Sequence, residues 1–344
     1  MLFFRNDYGQ GCVEEILNIL RDINDESISG YGIDPISEQA IAMIKTKMPD
    51  VNVDVHFIVG GTLTNQTIIK HVLRPYEAVI ACDSGHVAGH ETGAIEATGH
   101  KVITVKNING KLDASCIRPV FEEHMLTYEH LVYPKLVYIS NATEFGTVYT
   151  REELQAIRRE CDRLGLYLMM DGARLGSALM SGVDYDLNDL AKWCDVFYIG
   201  GTKNGALMGE AVVITNDALK PFFRFNLKQN GAMMAKGWLL GVQFLGLFKN
   251  DAFYQCAKHA NNLAGRLQDV LVELKYPMYM LSDTNQIFPV VNKAQFEYLQ
   301  QNVSFETWEV RQEDEIVIRF VTSWHTTEAE VDELIEILKE AIKL

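Results

Sequence analysis

The sequence predicts an α/β protein whose large domain contains a mostly parallel sheet covered by helices and whose carboxyl-terminal domain is smaller and α+β. In the first 215 of its 344 residues, short apolar runs alternate with helical patterns. Helical periodicity dominates residues 231–274, and strands and helices then alternate again. Short buried strands that alternate with helices are typical of a parallel sheet with both faces covered.

The predicted strands of the large domain are apolar runs at residues 56–60, 78–82, 101–105, 135–140, 166–170, 196–200 and 211–215. Helical patterns follow at 64–73, at 89–98 and from Thr150, which forms a capping-box signature with Glu153. The small domain is predicted as a strand at 286–291, a helix at 293–301, a strand at 316–321 and a helix at 327–344. We expect an N-terminal segment at 1–45 that packs on the small domain or a neighbouring subunit, the large domain at 46–249 and the small domain at 250–344.

Composition excludes two classes of partner. Lysine and arginine number 31 and aspartate and glutamate 46, which gives a formal net charge of −15. A chain this acidic lacks the basic surface that binding to nucleic acids or to anionic membranes requires. We expect no export signal, and no apolar run approaches the roughly 18 residues of a spanning helix. Six scattered cysteines without ligand spacing predict reduced thiols in a cytoplasmic protein.

Three polar segments each follow a predicted strand of the large sheet. The segment Gly-Gly-Thr-Leu-Thr-Asn at 60–65 opens a helix, where glycines and free N–H groups suit a phosphate. The carboxylate of Asp171 ends a buried strand and requires a cation, either Arg174 or a protonated ring nitrogen of a cofactor. Lys203 lies among glycines that leave space around its amine, and desolvation there favours a neutral nucleophile. Taken singly, each segment also fits a structural role: a strand–helix junction, an ion pair or a loop lysine.

Taken together, the three segments match the requirements of pyridoxal 5′-phosphate (PLP). Its phosphate needs N–H donors, its aldehyde needs a lysine amine, and its ring nitrogen needs an acid that keeps it protonated. The order of phosphate loop, Asp171 and Lys203 resembles that of the aspartate-aminotransferase-like superfamily of fold type I. A nicotinamide dehydrogenase is not supported, because the first strand–helix turn lacks the required glycine spacing.

Further segments resemble the threonine aldolase and aromatic amino acid β-eliminating lyase family. In chain order they are Arg5-Asn6-Asp7, Tyr31-Gly-Ile-Asp-Pro35, the loop at 60–65, His86 with Glu91-Thr-Gly-Ala94, Asp171-Gly-Ala-Arg174, Thr202-Lys203 and the strand at 318–322 with Arg319. They span nearly the whole chain. The resemblance implies a PLP-dependent transferase-like large domain, a PLP cofactor and a homo-oligomer, either a dimer or a homotetramer.

The resemblance also implies roles for individual residues. The implied catalytic residues are Lys203, His86, Asp171 and Glu144. The implied cofactor-binding residues are Gly61, Thr62, Asn65, His86, Asp171, Arg174, Thr202 and Lys203. The implied substrate-binding residues are Asn6, Tyr31, Arg174 and Arg319. Arg174 would lie near the ring hydroxyl or position Asp171, and Arg319 would grip the substrate carboxylate. No metal site is predicted, because the His86 and His90 pair lacks a third ligand at a suitable spacing.

Glu144 departs from the family pattern, because it stands where threonine aldolases often have a second histidine. A carboxylate there is able to act as a general base or to contact a different leaving group. We therefore predict a PLP-dependent carbon–carbon lyase that cleaves the Cα–Cβ bond of a β-hydroxy-α-amino acid, threonine or allo-threonine, to glycine and an aldehyde. The alternative is a PLP-dependent β-eliminating lyase on another amino acid. A non-catalytic protein with a PLP fold is disfavoured by Asp171, Lys203 and Arg319 together.

Overall fold

The computed structural model describes residues 1–312 and 314–344. The strands in these residues are β1 Leu2–Phe3, β2 Asp54–Ile58, β3 Glu77–Cys82, β4 Val102–Val105, β5 Tyr133–Ser140, β6 Tyr167–Asp171, β7 Val196–Gly200, β8 Glu210–Ile214, β9 Met278–Met280, β10 Gln286–Val291, β11 Val303–Ser304, β12 Glu306–Gln312 and β13 Glu315–Val321. The α-helices are α1 Glu14–Asp22, α2 Pro35–Thr46, α3 Gly61–Val72, α4 His86–Gly89, α5 Ile117–Thr127, α6 Arg151–Leu164, α7 Leu175–Leu179, α8 Leu187–Trp193, α9 Phe223–Gln229, α10 Trp238–Phe248, α11 Ala252–Glu273, α12 Lys293–Asn302 and α13 Glu328–Ala341. Short 3-10 turns lie at Glu96–Thr98, Ala114–Cys116, Tyr128–His130, Asp217–Leu219 and Lys249–Asp251.

The large sheet has the strand order β2-β8-β7-β6-β5-β3-β4. Strand β8 runs antiparallel to both of its neighbours, and the remaining pairs are parallel. The carboxyl ends of β2, β3, β4, β5, β6 and β7 therefore lie at one edge of the sheet, together with the amino end of β8. Residues that follow six different strands, and the residue that opens β8, lie at this edge.

Alternating side chains give the sheet two buried faces. Along β5, Val137 and Ile139 join one apolar cluster, whereas Leu136 and Tyr138 join the other. Helices α5, α6, α8 and α10 contribute to the first cluster and α3 and α9 to the second. A strand buried on both faces reads as a continuous apolar run, which explains why these strands were recognisable from sequence.

The carboxyl-terminal lobe has an antiparallel sheet of order β12-β13-β10-β9, and α11, α12 and α13 contribute to its apolar cluster. The first residues of the chain join this lobe, because β1 pairs with β11. Helices α1 and α2 instead contribute Ile16 and Ile44 to a core cluster of the large sheet. The boundaries expected after residues 45 and 249 stay predictions.

The mixed α/β architecture and the mostly parallel large sheet are confirmed. The helix predicted at 89–98 is wrong: α4 ends at Gly89 and only a short 3-10 turn, Glu96–Thr98, follows. The backbone turns in between, where Thr92 and Gly93 have φ of 53° and 71°. The periodic stretch at 231–274 forms two helices, α10 and α11, separated by Asn250 and Asp251 with positive φ. Helix α5 and strand β12 were not predicted.

Candidate active site

A cavity of about 440 Å³ opens at the edge where the strand ends meet, between the large sheet and the small lobe. Ten of the predicted site residues line it: Gly61, Thr62, Asn65, His86, Glu144, Asp171, Arg174, Thr202, Lys203 and Arg319. They come from separate strand ends and from the small lobe, so folding brings together the segments that the sequence analysis singled out.

Asp171 ends β6 and is 4% exposed. Its Oδ2 accepts hydrogen bonds from the Tyr138 hydroxyl at 2.5 Å and from Asn65 Nδ2 at 3.0 Å, and its Oδ1 accepts one from the Ala173 N–H at 3.0 Å. Burial raises the pKa of Asp171, but His86 and the tyrosine hydroxyls outweigh burial and lower that pKa below its ordinary value. The cavity therefore has a fixed anion on its sheet side.

Lys203 follows β7 and lies close to Asp171 because the ends of β6 and β7 approach each other tightly. A Cβ at Gly172 would lie 1.8 Å from the Tyr198 carbonyl oxygen, and a Cβ at Gly200 would lie 2.4 Å from that of Ala173. Only glycine permits this approach. Burial, together with the charge of Arg174, lowers the pKa of the Lys203 amine from its ordinary value. A larger share of that amine is then neutral and nucleophilic.

The N-terminus of α3 forms an anion cradle. Its N-cap, Gly60, provides no side-chain hydrogen bond, so the first N–H groups of the helix lack a side-chain cap, and Gly60, Gly61 and Thr62 line the cavity. Thr202 lines the same cavity, and its hydroxyl bonds to Glu210 Oε1 at 2.8 Å. Backbone donors and a hydroxyl are the partners that a phosphate requires, although no lysine or arginine of the α3 first turn accompanies them.

His86 opens α4 and binds Glu91 through Nδ1, at 2.8 Å from Oε1. Asn65 Nδ2 donates to the same Glu91 oxygen at 2.8 Å, which links His86 to the shell around Asp171. Burial lowers the pKa of His86, but Glu91, Glu144 and Asp171 overcome it and raise that pKa above 6.5. His86 therefore holds a proton more strongly than an unperturbed imidazole does.

Arg174 does not pair with Asp171. Its guanidinium makes a bidentate ion pair with Asp7, with Nε–Oδ2 at 2.7 Å and Nη2–Oδ1 at 3.1 Å, and both side chains are buried. Asn285 Nδ2 also donates to Asp7 at 2.9 Å. The interpretation of Arg174 as the partner of Asp171 is thus wrong, because a nearer carboxylate satisfies it. The pair fastens the N-terminal segment to the wall of the cavity.

Arg319 reaches the cavity from β13 and is 6% exposed. Its guanidinium donates to Gln286 Oε1 at 2.9 Å, pairs with Glu306 and lies 5.0 Å from the centre of the Trp308 ring. Its Nε has no hydrogen-bond partner among the described residues. Burial and the charge of Arg174 lower the pKa of Arg319. A buried, incompletely satisfied guanidinium is suited to bind an anion such as a carboxylate.

Two predicted residues are not brought to this cavity. Asn6 lies two residues before Tyr8, whose backbone N–H its side chain accepts at 3.1 Å. Tyr31 lines a separate cavity with Arg224, and Lys228 Nζ lies 4.5 Å from the centre of its ring. Within the described part of the chain, the cavity is lined by Tyr8 but not by Asn6 or Tyr31.

Several residues of the site were missed as such: Asp7, Glu91, Tyr138, Glu210, Trp308 and Gln286. Asp7 and Glu91 stood inside segments already singled out, so only their partners were unknown. Glu210 carried a signal of its own, a lone charge that opens the apolar strand β8. Tyr138, Trp308 and Gln286 are ordinary strand residues, and only the tertiary fold shows where they lie.

The residues present fit PLP. The uncapped end of α3 suits its phosphate, Asp171 suits a protonated ring nitrogen, and Lys203 suits its aldehyde. Asn65 Oδ1 and Arg319 Nε, both buried in lining residues, lack partners within residues 1–312 and 314–344, so polar groups remain available to ligands.

Comparison with known proteins supports the same conclusion. Residues 24–294 match the model of the beta-eliminating lyase family. The chain is 32% identical to a low specificity L-threonine aldolase of Pseudomonas sp., over 96% of this chain and 95% of that protein. It is 44% identical to the structure of a Leishmania major threonine aldolase, with a TM-score of 0.97 over 99% of this chain and 100% of that one. The chain belongs to the beta-eliminating lyase family.

Membership makes the protein a PLP-dependent lyase. The fold is shared more widely, since an aspartate aminotransferase of Thermus thermophilus superposes with a TM-score of 0.72 at 14% identity, over 99% of this chain and 91% of that one. No helix in the described residues is both long and apolar enough to cross a lipid bilayer. The same residues contain no cluster of three side chains suited to hold a metal ion.

Proposed function

We propose that the protein cleaves the Cα–Cβ bond of a β-hydroxy-α-amino acid, L-threonine or L-allo-threonine, to give glycine and an aldehyde. One observation carries the proposal: a single cavity holds Lys203, Asp171 and Arg319, with His86 and Glu144 beside them. Its relatives support it, since they are named for threonine aldolase activity.

PLP supplies a ring that accepts the electron pair released at Cα when the bond breaks. In the proposal, Lys203 holds it covalently, the first turn of α3 with Thr202 holds its phosphate, and Asp171 keeps its ring nitrogen protonated. The carboxylate of Asp171 is prepared for this role because three donors fix its position and its pKa is lowered. An acid that stays ionised in a dry site stabilises a cation beside it.

Arg319 binds the carboxylate of the substrate. Gln286 and Trp308 orient its guanidinium on one side, and its free Nε is available on another. A planar guanidinium that grips a carboxylate at two points fixes the rotation of the substrate about the bond to its nitrogen. With the cofactor bound, Arg319 would thereby select which of the bonds at Cα breaks.

The proton of the β-hydroxyl goes to His86 or to Glu144, directly or through a water molecule. His86 is oriented by Glu91, which raises its pKa and makes the ring a stronger base. Glu144 lines the same cavity and contributes negative charge to His86. The charge of Glu144 therefore adds to that of Glu91 in favouring the protonated form of His86.

The test is incubation of the PLP-loaded protein with L-threonine, L-allo-threonine and phenylserine. We expect glycine together with acetaldehyde or benzaldehyde, and the ratio of rates reports the preference at Cβ. The second candidate is β-elimination on another amino acid, which the carboxylate of Glu144 favours because it lies in the cavity where a leaving group would depart. A 2-oxo acid with ammonia, in place of glycine and aldehyde, would establish it.

The protein is proposed to act as a homo-oligomer, a dimer or a tetramer, in the cytoplasm. Large apolar side chains are exposed around Tyr31: Phe222 is 73% exposed, Phe225 74% and Ile33 60%. Such a surface favours association with another copy. Six free cysteines support a reducing compartment. Size-exclusion chromatography with light scattering tests the assembly, and Phe225→Asp should shift it toward the monomer.

A further inference from the structure

Glu210 is a buried carboxyl group that the proposed reaction does not use. It opens β8, whose other residues are apolar, and is 3% exposed. Because β8 runs antiparallel to its neighbours, its first residue lies at the edge where the other strands end, and Glu210 lines the active-site cavity. A negative charge at this place would lie beside the group of donors that receives a phosphate.

The hydrogen bonds of Thr202 distinguish two states of Glu210. Glu210 Oε1 lies 2.8 Å from Thr202 Oγ1, and Glu210 Oε2 accepts from the Gly201 N–H at 3.2 Å. Thr202 Oγ1 also accepts from the Gly209 N–H at 3.0 Å. A hydroxyl has one proton and two lone pairs. An ionised Glu210 is only able to accept hydrogen bonds, so the single hydroxyl proton of Thr202 is donated to it.

A protonated Glu210 reverses this bond. Its own O–H then donates to Thr202 Oγ1, whose two lone pairs are filled by Glu210 and Gly209. The hydroxyl proton of Thr202 becomes free to point into the cavity. This change requires no large movement of atoms, and the proton stays on Glu210. The hydroxyl of Thr202, which otherwise donates to Glu210, is then able to donate to a ligand anion.

We infer that Glu210 is a positioning residue that stays protonated in the working protein, so that Thr202 donates its hydroxyl proton to the phosphate of PLP. The inference rests on the proposed function only in naming PLP as the ligand. A protonated Glu210 also avoids electrostatic repulsion, since a neutral acid does not repel the phosphate as a carboxylate would.

The surroundings of Glu210 favour the neutral form. Burial raises its pKa to about 8, against the hydrogen bond from Thr202 and the charge of Lys203, and Asp171 adds to the rise. The titratable groups that face it are Lys203 after β7, Tyr198 on β7 and Asp171 on β6. On its other side β2 places Ile58 opposite it. A bound phosphate dianion would raise the pKa of Glu210 further.

The experiment measures the dissociation constant of pyridoxine 5′-phosphate, which has no aldehyde to react with Lys203, for the apoprotein between pH 7 and 9.5. Unphosphorylated pyridoxine reports the ring contacts alone. For the unaltered protein, the affinity for the phosphorylated probe should fall by up to about tenfold per pH unit above the pKa of Glu210. Glu210→Gln keeps both hydrogen bonds and stays neutral, so its affinity should fall less steeply and exceed that of the unaltered protein at pH 9.

Two further variants make the result interpretable. Glu77→Gln changes a buried carboxyl at the opposite end of the sheet, bonded to the Arg74 N–H, and should reproduce the pH dependence of the unaltered protein. Thr202→Val removes the donor, so it should weaken binding of the phosphorylated probe by roughly fivefold to tenfold. In the Thr202→Val background, Glu210→Gln should change the pH dependence less than it does in the unaltered protein, because only the repulsion between an ionised Glu210 and the phosphate remains. Circular dichroism checks that every variant folds.

Equal pH dependence for the unaltered protein and Glu210→Gln would overturn the inference, as would weaker binding by Glu210→Gln at pH 7. The proposed function is tested separately, because it requires PLP to join Lys203 and threonine to yield glycine whatever Glu210 does. If the unaltered protein neither joins PLP to Lys203 nor yields glycine from threonine, the proposed function is contradicted. If it does both, but the unaltered protein and Glu210→Gln show the same pH dependence of binding, only the role of Glu210 is contradicted.

Discussion

The two sides of the active-site cavity are built differently. On the side of the large sheet, Asp171, Asn65, Glu91 and His86 are joined by a continuous set of hydrogen bonds, and Asp171 and Glu91 are almost fully buried. On the side of the small lobe, Arg319 is paired with Glu306, whose side chain is 42% exposed.

The side assigned to the cofactor is therefore preorganised, whereas the side assigned to the substrate contains a partner that the substrate is able to displace. A group fixed by several buried hydrogen bonds loses little freedom when its ligand binds. When the substrate binds, Arg319 instead has to release or share the Glu306 carboxylate, which is also exposed to water. Substitutions on the sheet side should therefore reduce kcat, and substitutions on the lobe side should act mainly on KM.

The largest effect is expected at Asp171. Asp171→Asn removes the anion opposite the ring nitrogen, and loss of one partner of a buried ion pair costs about 3–5 kcal/mol, or roughly 10²–10⁴-fold in kcat. Steady-state kinetics with L-threonine measures this loss. Asp113→Asn alters an exposed carboxylate of the same domain and serves as the control. A change in KM with unaltered kcat would contradict the expectation that substitutions on the sheet side reduce kcat.

Arg319→Leu should follow, with kcat/KM reduced by about 10²-fold, because charged hydrogen bonds of about 1.5–3 kcal/mol are lost. The reduction should lie mostly in KM, and Arg319→Lys should restore part of it. Arg311 lies on the neighbouring strand β12, outside the cavity, so Arg311→Leu is the matched control. If Arg319→Leu lowered kcat and left KM unchanged, the small lobe would not be the substrate side.

The pH profile of kcat/KM tests the role of His86 as the base. The acidic limb of kcat/KM should lie above pH 6.5, because Glu91 raises the pKa of His86 and activity requires its neutral form. Glu91→Gln removes that charge, so the limb should move to lower pH by about one unit or more. Glu96→Gln, at an exposed position nearby, should leave the limb in place.

A limb that moves with Glu144→Gln but not with Glu91→Gln would assign the proton transfer to Glu144 instead.

The smallest effect is expected at Glu306. Glu306→Gln removes the carboxylate that competes with the substrate for Arg319, so KM should fall by a factor of about two to five, the range of a partly exposed ion pair. Glu309→Gln changes an exposed residue of the same strand and provides the baseline. A rise in KM would show that Glu306 positions Arg319 rather than competing for it.

The sequence allowed the sheet-side site to be predicted further than the lobe side. Buried parallel strands read as apolar runs, and the polar residues that end them meet at one edge by topology alone. Asp171, Lys203 and the loop at 60–65 are therefore predictable from the sequence. The topology also explains Glu210, since a charge at the start of an antiparallel strand arrives at the same edge.

Other features depend on distances that periodicity does not contain. The partner of Arg174 lies 167 positions away in the chain, at Asp7, so local sequence favoured the nearer Asp171. Trp308 belongs to an irregular edge strand with a register shift, which obscures the alternation of side chains. The turn at Thr92 and Gly93 depends on backbone angles that the helical pattern of 89–98 did not reveal.

The most direct test of the central claim concerns Lys203, which the fold places at the end of β7 beside the fixed anion of Asp171. The protein is saturated with PLP, reduced with borohydride, digested and analysed by mass spectrometry. We expect a single pyridoxyl group on the peptide that contains Lys203, and none in Lys203→Ala. A label on another lysine, or a Lys203 peptide that remains unmodified, would contradict it.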